Sequence, residues 1–279
     1  MPVASLKEDG WNLEQPEVLA LMEKLRSKGV PLGEYVQGRF YRGILTGLNE
    51  AFVIDAATRE KLIAEDPGSA EVIKPWLRGR DIRKWKIEWD GLYVLYIPWH
   101  LDMNKYPSVL DHLKQYREKL ENRNESERDR YEWYALQRYA ADYYFEFSKT
   151  KIVYPDIAQN SKFAWDETKA FLGNTAYIIP TDEIWLVGLL NSKVIWWYYR
   201  NISSIIRGGF VRFIAQYMDT IPIAFASDSQ KTSIDEHTRI IIAEPDHPNV
   251  TQLEDEINNL AYDLYGLTEA EIAIVEGRK

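Results

Sequence analysis

Three residues in one stretch have the types and the order of a metal-dependent nuclease core. Asp156 follows Pro155, and Glu167 and Lys169 come further on as Glu-Thr-Lys. In such a core two carboxylates hold a divalent cation while the lysine positions or activates the attacking water. That chemistry needs Glu and Lys on one face of a rigid strand. Here "WDETK" is a charged break between "KFAW" and "AFLG", so a solvated turn is the better expectation. No G-x-G-x-x-G, Walker loop, H-E-x-x-H or G-x-S-x-G occurs. His100, His112, His237 and His247 lack metal-ligand spacing and read as surface or structural residues. Cysteine is absent, which removes thiol nucleophiles, thiolate metal sites and disulfides, and suits a reducing cytoplasm. No metal and no cofactor is therefore expected in this chain.

The second chemistry is phosphate binding. The chain carries a formal net charge of −9, yet "IKPWLRGRDIRKWK" (73–86) sets Lys74, Arg78, Arg80, Arg83, Lys84 and Lys86 against Asp81 alone. The charge is unevenly placed. Residues 30–225 hold 26 Lys/Arg and 26 Asp/Glu, and the two flanks hold 8 and 17, which accounts for the whole excess of acid. A second positive stretch, Ile184 to Met218, contains Lys193, Arg200, Arg207 and Arg212 and no acid. Each Lys or Arg near a phosphate releases condensed counterion, giving affinity with little sequence information. A polyanion-binding face is thus compatible with the acidic total. In 73–86 the tryptophans are expected to pack inward, and Asp81 to orient Arg78 or Arg80 within a turn.

Candidates for contact with such a polyanion follow from residue type and neighbourhood. Lys74, Arg78, Arg80, Arg83 and Lys84 are candidates for phosphate. Arg207, Gly208, Gly209 and Arg212 form a second set, because paired glycines let backbone approach a phosphate or a base edge. Arg39, Arg42, Thr46 and Asn49 surround a glycine-containing turn, and Asn160 and Lys162 occupy a polar loop after a strand. Each set has a plainer reading as a turn or a solvated loop. Trp196, Trp197, Tyr198 and Tyr199 are consecutive on a helix, so they point all round it and read as core rather than as base-stacking platforms.

These residues must be held by a mixed set of elements. A helix is expected over 16–28, with Val18, Leu21, Met22 and Leu25 on one face and Gly29 as its stop. Strand–turn–strand is expected over 38–55, then a short helix capped by Asp55. "DPGSAEVIKPWL" reads as a turn and a further short helix, and "LYVLYIP" (92–98) as a strand. One helix is expected over 105–122, followed by a polar loop at 123–132. "TKIVYPDIA" and "TAYIIP" read as strands, and 181–203 as helix broken at Asn191–Ser192. Residues 226–249 read as a polar linker with one edge strand, "RIIIAE". A helix at 250–265 stopped by Gly266, and a last helix with the Thr268–Glu271 capping box, complete the chain. Without regular βαβ alternation the fold class is α+β: a mixed-sheet domain with packed helices.

Several segments together resemble one family: "YRGILTGLNEAFVID" (41–55), "IKPWLRGRDIRKW" (73–85), "YEWYALQRY" (131–139), "KIVYPDIA" (151–158), "NTAYIIP" (174–180), "VGLLNSKV" (187–194), "YMDTIPI" (217–223) and "LAYDLYGLTEAEIAIVEG" (260–277). In this order they resemble the C-terminal target-recognition domain of adenine-specific DNA methyltransferases of the TaqI-like and type IIG restriction–modification kind. The family's Asn-Pro-Pro-Tyr motif does not occur in these residues. The resemblance implies a sequence-specific duplex-DNA recognition module without methyl transfer of its own. It would position an adenine methyltransferase, alone or in a bifunctional restriction–modification enzyme. S-adenosylmethionine would belong to that catalytic domain, in the same parent chain or a separate subunit. Segment 73–85, similar in proteins that read different sequences, would grip DNA rather than choose its sequence. The expected organisation is a junction at 1–29, a recognition domain at 30–226, and a linker with C-terminal helices at 227–279. Two other readings stay open: the nuclease above, and a protein-interaction module using the aromatic surface and acidic tail. No segment is apolar enough to span a membrane and no secretory signal is visible, so a cytoplasmic location is expected.

Overall fold

The computed structural model describes residues 16–123 and 130–278. Helix α1 (Pro16–Ser27) buries Leu21, Met22 and Leu25, the face expected from their spacing. Strand β1 (Gly29–Pro31) then pairs antiparallel with β13 (Pro222–Ala224), which ties the start of the described chain to its last third. A Cβ on Gly29 would lie 2.0 Å from the Ile223 carbonyl oxygen, so only glycine admits this approach.

After α2 (Leu32–Tyr35) and β2 (Tyr41–Arg42), the segment expected as strand–turn–strand gains a helical turn, α3 (Asn49–Phe52), before β3 (Val53–Ile54). Asp55 Oδ1 accepts the Thr58 N–H at 2.8 Å and starts α4 (Ala56–Glu65). The helix expected in "DPGSAEVIKPWL" stops after a 3-10 turn over Pro67–Glu71, and the rest forms strand β4 (Ile73–Leu77). The reason is tertiary. β4 lies between β5 (Tyr93–Leu95) and β9 (Phe171–Leu172), completing the sheet order β3-β5-β4-β9. The single helix expected at 105–122 is two, α5 (Pro107–Lys114) and α6 (Arg117–Glu121), because the backbone leaves helical geometry at Tyr116. The polar loop at 123–132 falls largely outside the described residues, as does the first half of the 1–29 junction.

The central sheet runs β2-β10-β6-β8, with β6 (Lys151–Pro155), β8 (Ala164–Asp166) and β10 (Ala176–Pro180) all antiparallel to their neighbours. On it Lys151 and Asp166 stand directly opposite each other, fully buried, with Nζ 2.5 Å from the carboxylate. Lys151 Nζ also donates to the Phe147 carbonyl at 2.7 Å, and Asp166 Oδ1 accepts both the N–H and the hydroxyl of Thr168. Burial lowers the lysine pKa and the carboxylate opposes that shift.

A small third sheet, β11 (Ile205–Ile206), β12 (Phe210–Arg212) and β7 (Ile157–Ala158), is ordered β11-β12-β7. Helices α7 (Trp185–Leu190) and α8 (Lys193–Ile202) break at Asn191–Ser192 as expected, and α9 (Ala215–Met218) leads into β13. The expected linker with an edge strand is instead a helix, α10 (Asp228–Ala243). Ser227 and Gln230 cap it reciprocally, and Ile234, Thr238 and Ile241 form its buried stripe. Polar residues on the other faces hide that stripe from a linear reading. The stripe packs on Gly188 of α7, where a Cβ would lie 2.3 Å from Thr238 Oγ1. Helices α11 (Val250–Tyr265) and α12 (Glu269–Glu276) follow, with Gly266 in left-handed geometry (φ 61°) and the Thr268–Glu271 box in place. The whole is α+β. One apolar cluster joins α1, α7, α8, α10 and α11, and a second fills the space between the β3-β5-β4-β9 sheet and α5.

Candidate nucleic-acid interface

The turn that follows β4 is built around Asp81. Its carboxylate, 4% exposed, accepts the Arg78 N–H at 2.8 Å and holds the Arg78 guanidinium through Nε and Nη2. Arg78 Nη2 also reaches Asp90 at 2.7 Å. These bonds, Asp81 first, raise the already high arginine pKa. Arg78 is thus a structural residue of the turn. The adjoining Gly79 is pressed against the loop before β10. Its N–H donates to Thr175 Oγ1 at 3.0 Å, and a Cβ there would meet the Thr175 carbonyl oxygen at 2.3 Å.

This clamp opens a cleft of about 320 Å³ between the turn and the end of β6, lined by Gly79, Arg80, Arg83, Asp156, Ile157 and Lys162 together with Pro155 and Thr175. Arg80 is exposed and Lys162 half-buried, and among the described residues neither side chain has an ion-pair partner. Arg83 is held by Glu88 at 2.9 Å and by the Arg80 carbonyl. Asp156 is the only acid in the lining. Arg42 stands 3.7 Å from it, donates to the Asn174 carbonyl at 2.8 Å, and lies over the Tyr177 ring. The structure therefore brings Arg42, Arg80, Arg83 and Lys162, distant in sequence, to one cleft and its edge.

The β11-β12-β7 sheet continues from this cleft through Ile157. Its hairpin carries Arg207, Gly208 and Gly209, with both glycines left-handed (φ 83° and 76°), so the tight turn requires them. Gln159 Nε2 donates to the Gly208 carbonyl at 2.9 Å and ties the turn to the segment after β7. Arg207 and Arg212 are exposed, and among the described residues their guanidinium groups make no ion pair. Behind them, Tyr199 donates to the Arg212 carbonyl at 2.5 Å, and burial pushes the Tyr199 and Tyr154 phenols well above their usual pKa. Asn160 is exposed in the adjoining loop.

Other expected site residues lie elsewhere. Thr46 is buried, its hydroxyl donating to Asn49 Oδ1 at 2.7 Å and its carbonyl receiving Arg123 at 2.8 Å. Arg39 Nε donates to the Val36 carbonyl at 3.1 Å. Lys74 is half-buried in β4 opposite Val94. Lys84 pairs with Glu254 of α11 at 2.8 Å and Lys86 with Asp246 at 3.0 Å, and Trp85 donates its indole N–H to Glu254. Trp76 and Trp85 are buried, as are Tyr198 and Tyr199.

The nuclease arrangement is not assembled. In the β6–β8 register Lys151 faces Asp166 and Val153 faces Ala164. Glu167 therefore extends past one end of this strand pair while Asp156 lies past the other. Glu167 accepts the Trp165 indole N–H at 2.8 Å, and Lys169 is exposed with a left-handed backbone (φ 59°). No group of three or more His, Asp or Glu side chains among the described residues is placed to hold a metal. Two cleft residues escaped the sequence reading in their present roles: Asp156 as a bracket for Arg42, and Ile157 as lining. The signal was the proline at 155, which ends β6 and starts a separate short strand.

A profile of the TaqI-like C-terminal specificity domain matches residues 74–223. The chain is 27% identical over 275 residues to the type II methyltransferase M.XhoI of Xanthomonas vasicola, covering 95% of this chain and 46% of that protein. It is 26% identical over 277 residues to the type II methyltransferase M.PaeR7I of Pseudomonas aeruginosa, covering 96% and 45%. The chain thus spans about half the length of these curated relatives. Among solved structures it is similar to the type IIL restriction–modification enzyme MmeI in complex with DNA, at TM-score 0.61 and 16% identity over 86% of this chain and 35% of that one. The type IIG restriction endonuclease BpuSI aligns at TM-score 0.50 and 14% identity, over 90% and 33%. At these identities the two structures speak for the fold.

Proposed function

The chain belongs to the TaqI-like C-terminal specificity domain family, and from that premise we propose that it recognises a short duplex-DNA sequence and positions an adenine-specific methyltransferase on it. The observation that carries this reading is the cleft where Arg80, Arg83 and Lys162 converge beside Arg42. Arg80 and Lys162 have no acid partner among the described residues, and such cations suit phosphate oxygens. The likeness to type II methyltransferases supports an enzymatic partner of that class.

In this reading the basic cleft grips the backbone and the neighbouring loops face base edges. Residues 1–29 form the junction to the catalytic region, 30–226 recognise DNA, and 227–279 brace them. Methyl transfer, S-adenosylmethionine and the pocket for an extruded adenine belong to the catalytic region. A cytoplasmic site of action goes with this reading; among the described residues no helix is long and apolar enough to cross a membrane.

Duplex binding by the 279-residue chain is expected to weaken steeply with salt. Arg80→Ala with Lys162→Ala should flatten the log–log salt slope by about two, since each lost phosphate contact removes about 0.9. Absence of duplex binding at low salt would refute the chain as a DNA binder. Unchanged slopes would move the grip away from this cleft.

A further inference from the structure

We infer that the outer face of the β11-β12-β7 sheet is the base-reading surface, entering the major groove with Arg212 on a guanine and Ile157 on the methyl group of a neighbouring thymine. This rests on the DNA-recognition reading above and says which part of the chain selects sequence.

Register supplies the first argument. Arg212 pairs directly with Ile157, and Val211 with Ala158. Opposed residues of an antiparallel pair project from the same face, and neighbours along a strand alternate. Val211 and Ala158 are buried, so they face the core. Arg212 and Ile157 therefore face outward, with Phe210 and its partner Ile206 on the same side. Ile157 is 39% exposed although it is a β-branched apolar residue on a short strand.

Chemistry supplies the second. The Arg212 guanidinium is exposed, makes no ion pair among the described residues, and belongs to the face that Ile157 shares. It matches a base-pair edge, where guanine O6 and N7 accept two parallel N–H bonds and a thymine methyl offers apolar contact. The stretch from Ile184 to Met218 contains no acid, so nothing on the hairpin repels DNA. A β-ribbon is of a size that the major groove admits. Ile157 also lines the cleft with Arg80 and Lys162, which places the phosphate grip immediately beside the reading face.

Rigidity supplies the third. The Phe213 N–H donates to the Asp156 carbonyl at 2.8 Å, and its ring stacks on Tyr199 at 4.6 Å. Tyr199 holds the Arg212 carbonyl and Gln159 holds the hairpin turn. The backbone behind Arg212 is fixed before DNA arrives, so little ordering is required on binding.

The test is selection from duplexes with a randomised core by the 279-residue chain, its Arg212→Lys variant and its Ile157→Ser variant. Wild type is expected to enrich sites with a guanine beside a thymine. Arg212→Lys keeps the charge but loses the two-pronged geometry. It should keep affinity for random duplex within about twofold, with an unchanged salt slope, while preference for the guanine falls about tenfold or more. Replacing the thymine by uracil, which lacks the methyl, should weaken wild type and leave Ile157→Ser indifferent. Full selectivity in Arg212→Lys overturns the inference, as does equal binding of thymine and uracil sites by wild type. Duplex binding by wild type without any preference overturns it while leaving the phosphate grip standing. No duplex binding at all defeats the reading beneath it.

Discussion

Asp156 and Asp166 show how little a residue's type says about its work. Both are aspartates in the same sheet region, and the sequence singles out Asp156 as a candidate for metal chemistry. In the fold Asp156 steadies Arg42 at the cleft, and Asp166 neutralises a lysine that has lost all its water. Lys151 lies four places from Pro155 in a run of apolar residues, and nothing local signals that a carboxylate will stand opposite. Removing one member of a buried pair strands the other charge, at a cost of about 3–5 kcal/mol. Lys151→Met is therefore expected to lower unfolding free energy by about that amount in a denaturant titration, and pairing it with Asp166→Leu should recover most of the loss. A loss below about 1 kcal/mol in the single variant would show the pair to be solvated.

At the scale of elements, the turn after β4 is where local chemistry and tertiary packing meet. The Arg-Gly-Arg-Asp text announces a turn braced by Asp81, and the structure has that brace. What the text does not announce is that Gly79 is flat against Thr175, ninety-six residues away. Gly79→Ala would push a methyl into the Thr175 carbonyl. It should destabilise the chain by about 1–3 kcal/mol by overpacking and weaken duplex binding more than its thermal shift explains, because Arg80 and Arg83 ride on that turn. Thermal melting beside a binding isotherm separates the two effects; a variant that melts and binds like wild type would refute the clamp. The helix α10 carries the complementary lesson. Its buried stripe of Ile234, Thr238 and Ile241 is spaced for a helix, but the polar faces around it dominate a linear reading. Gly188, the residue that makes room for it, is far upstream.

Across the whole molecule, the acidity at the ends is coupled to the basic stretch in the middle. Glu254 holds Lys84, and Asp246 holds Lys86 and raises its pKa. Helix α11 and the turn before it thus occupy lysines that would otherwise add to the positive surface. Glu254→Gln with Asp246→Asn should tighten duplex binding and steepen its salt slope by one to about two. Stability should change little, since these pairs are partly or largely open to solvent. Unchanged affinity would put this face away from DNA. From sequence alone came the α+β class, most helices and their caps, the inward tryptophans, the uneven charge and the resemblance to specificity domains, because each rests on local periodicity, residue chemistry or motif order. The union of Arg42, Arg80, Arg83 and Lys162 at one cleft, the withdrawal of Thr46, Arg78 and Lys84 into internal contacts, and the outward face shared by Ile157 and Arg212 came only with the fold. They depend on strand register and on close backbone approaches between segments far apart in the chain, and no local pattern encodes those.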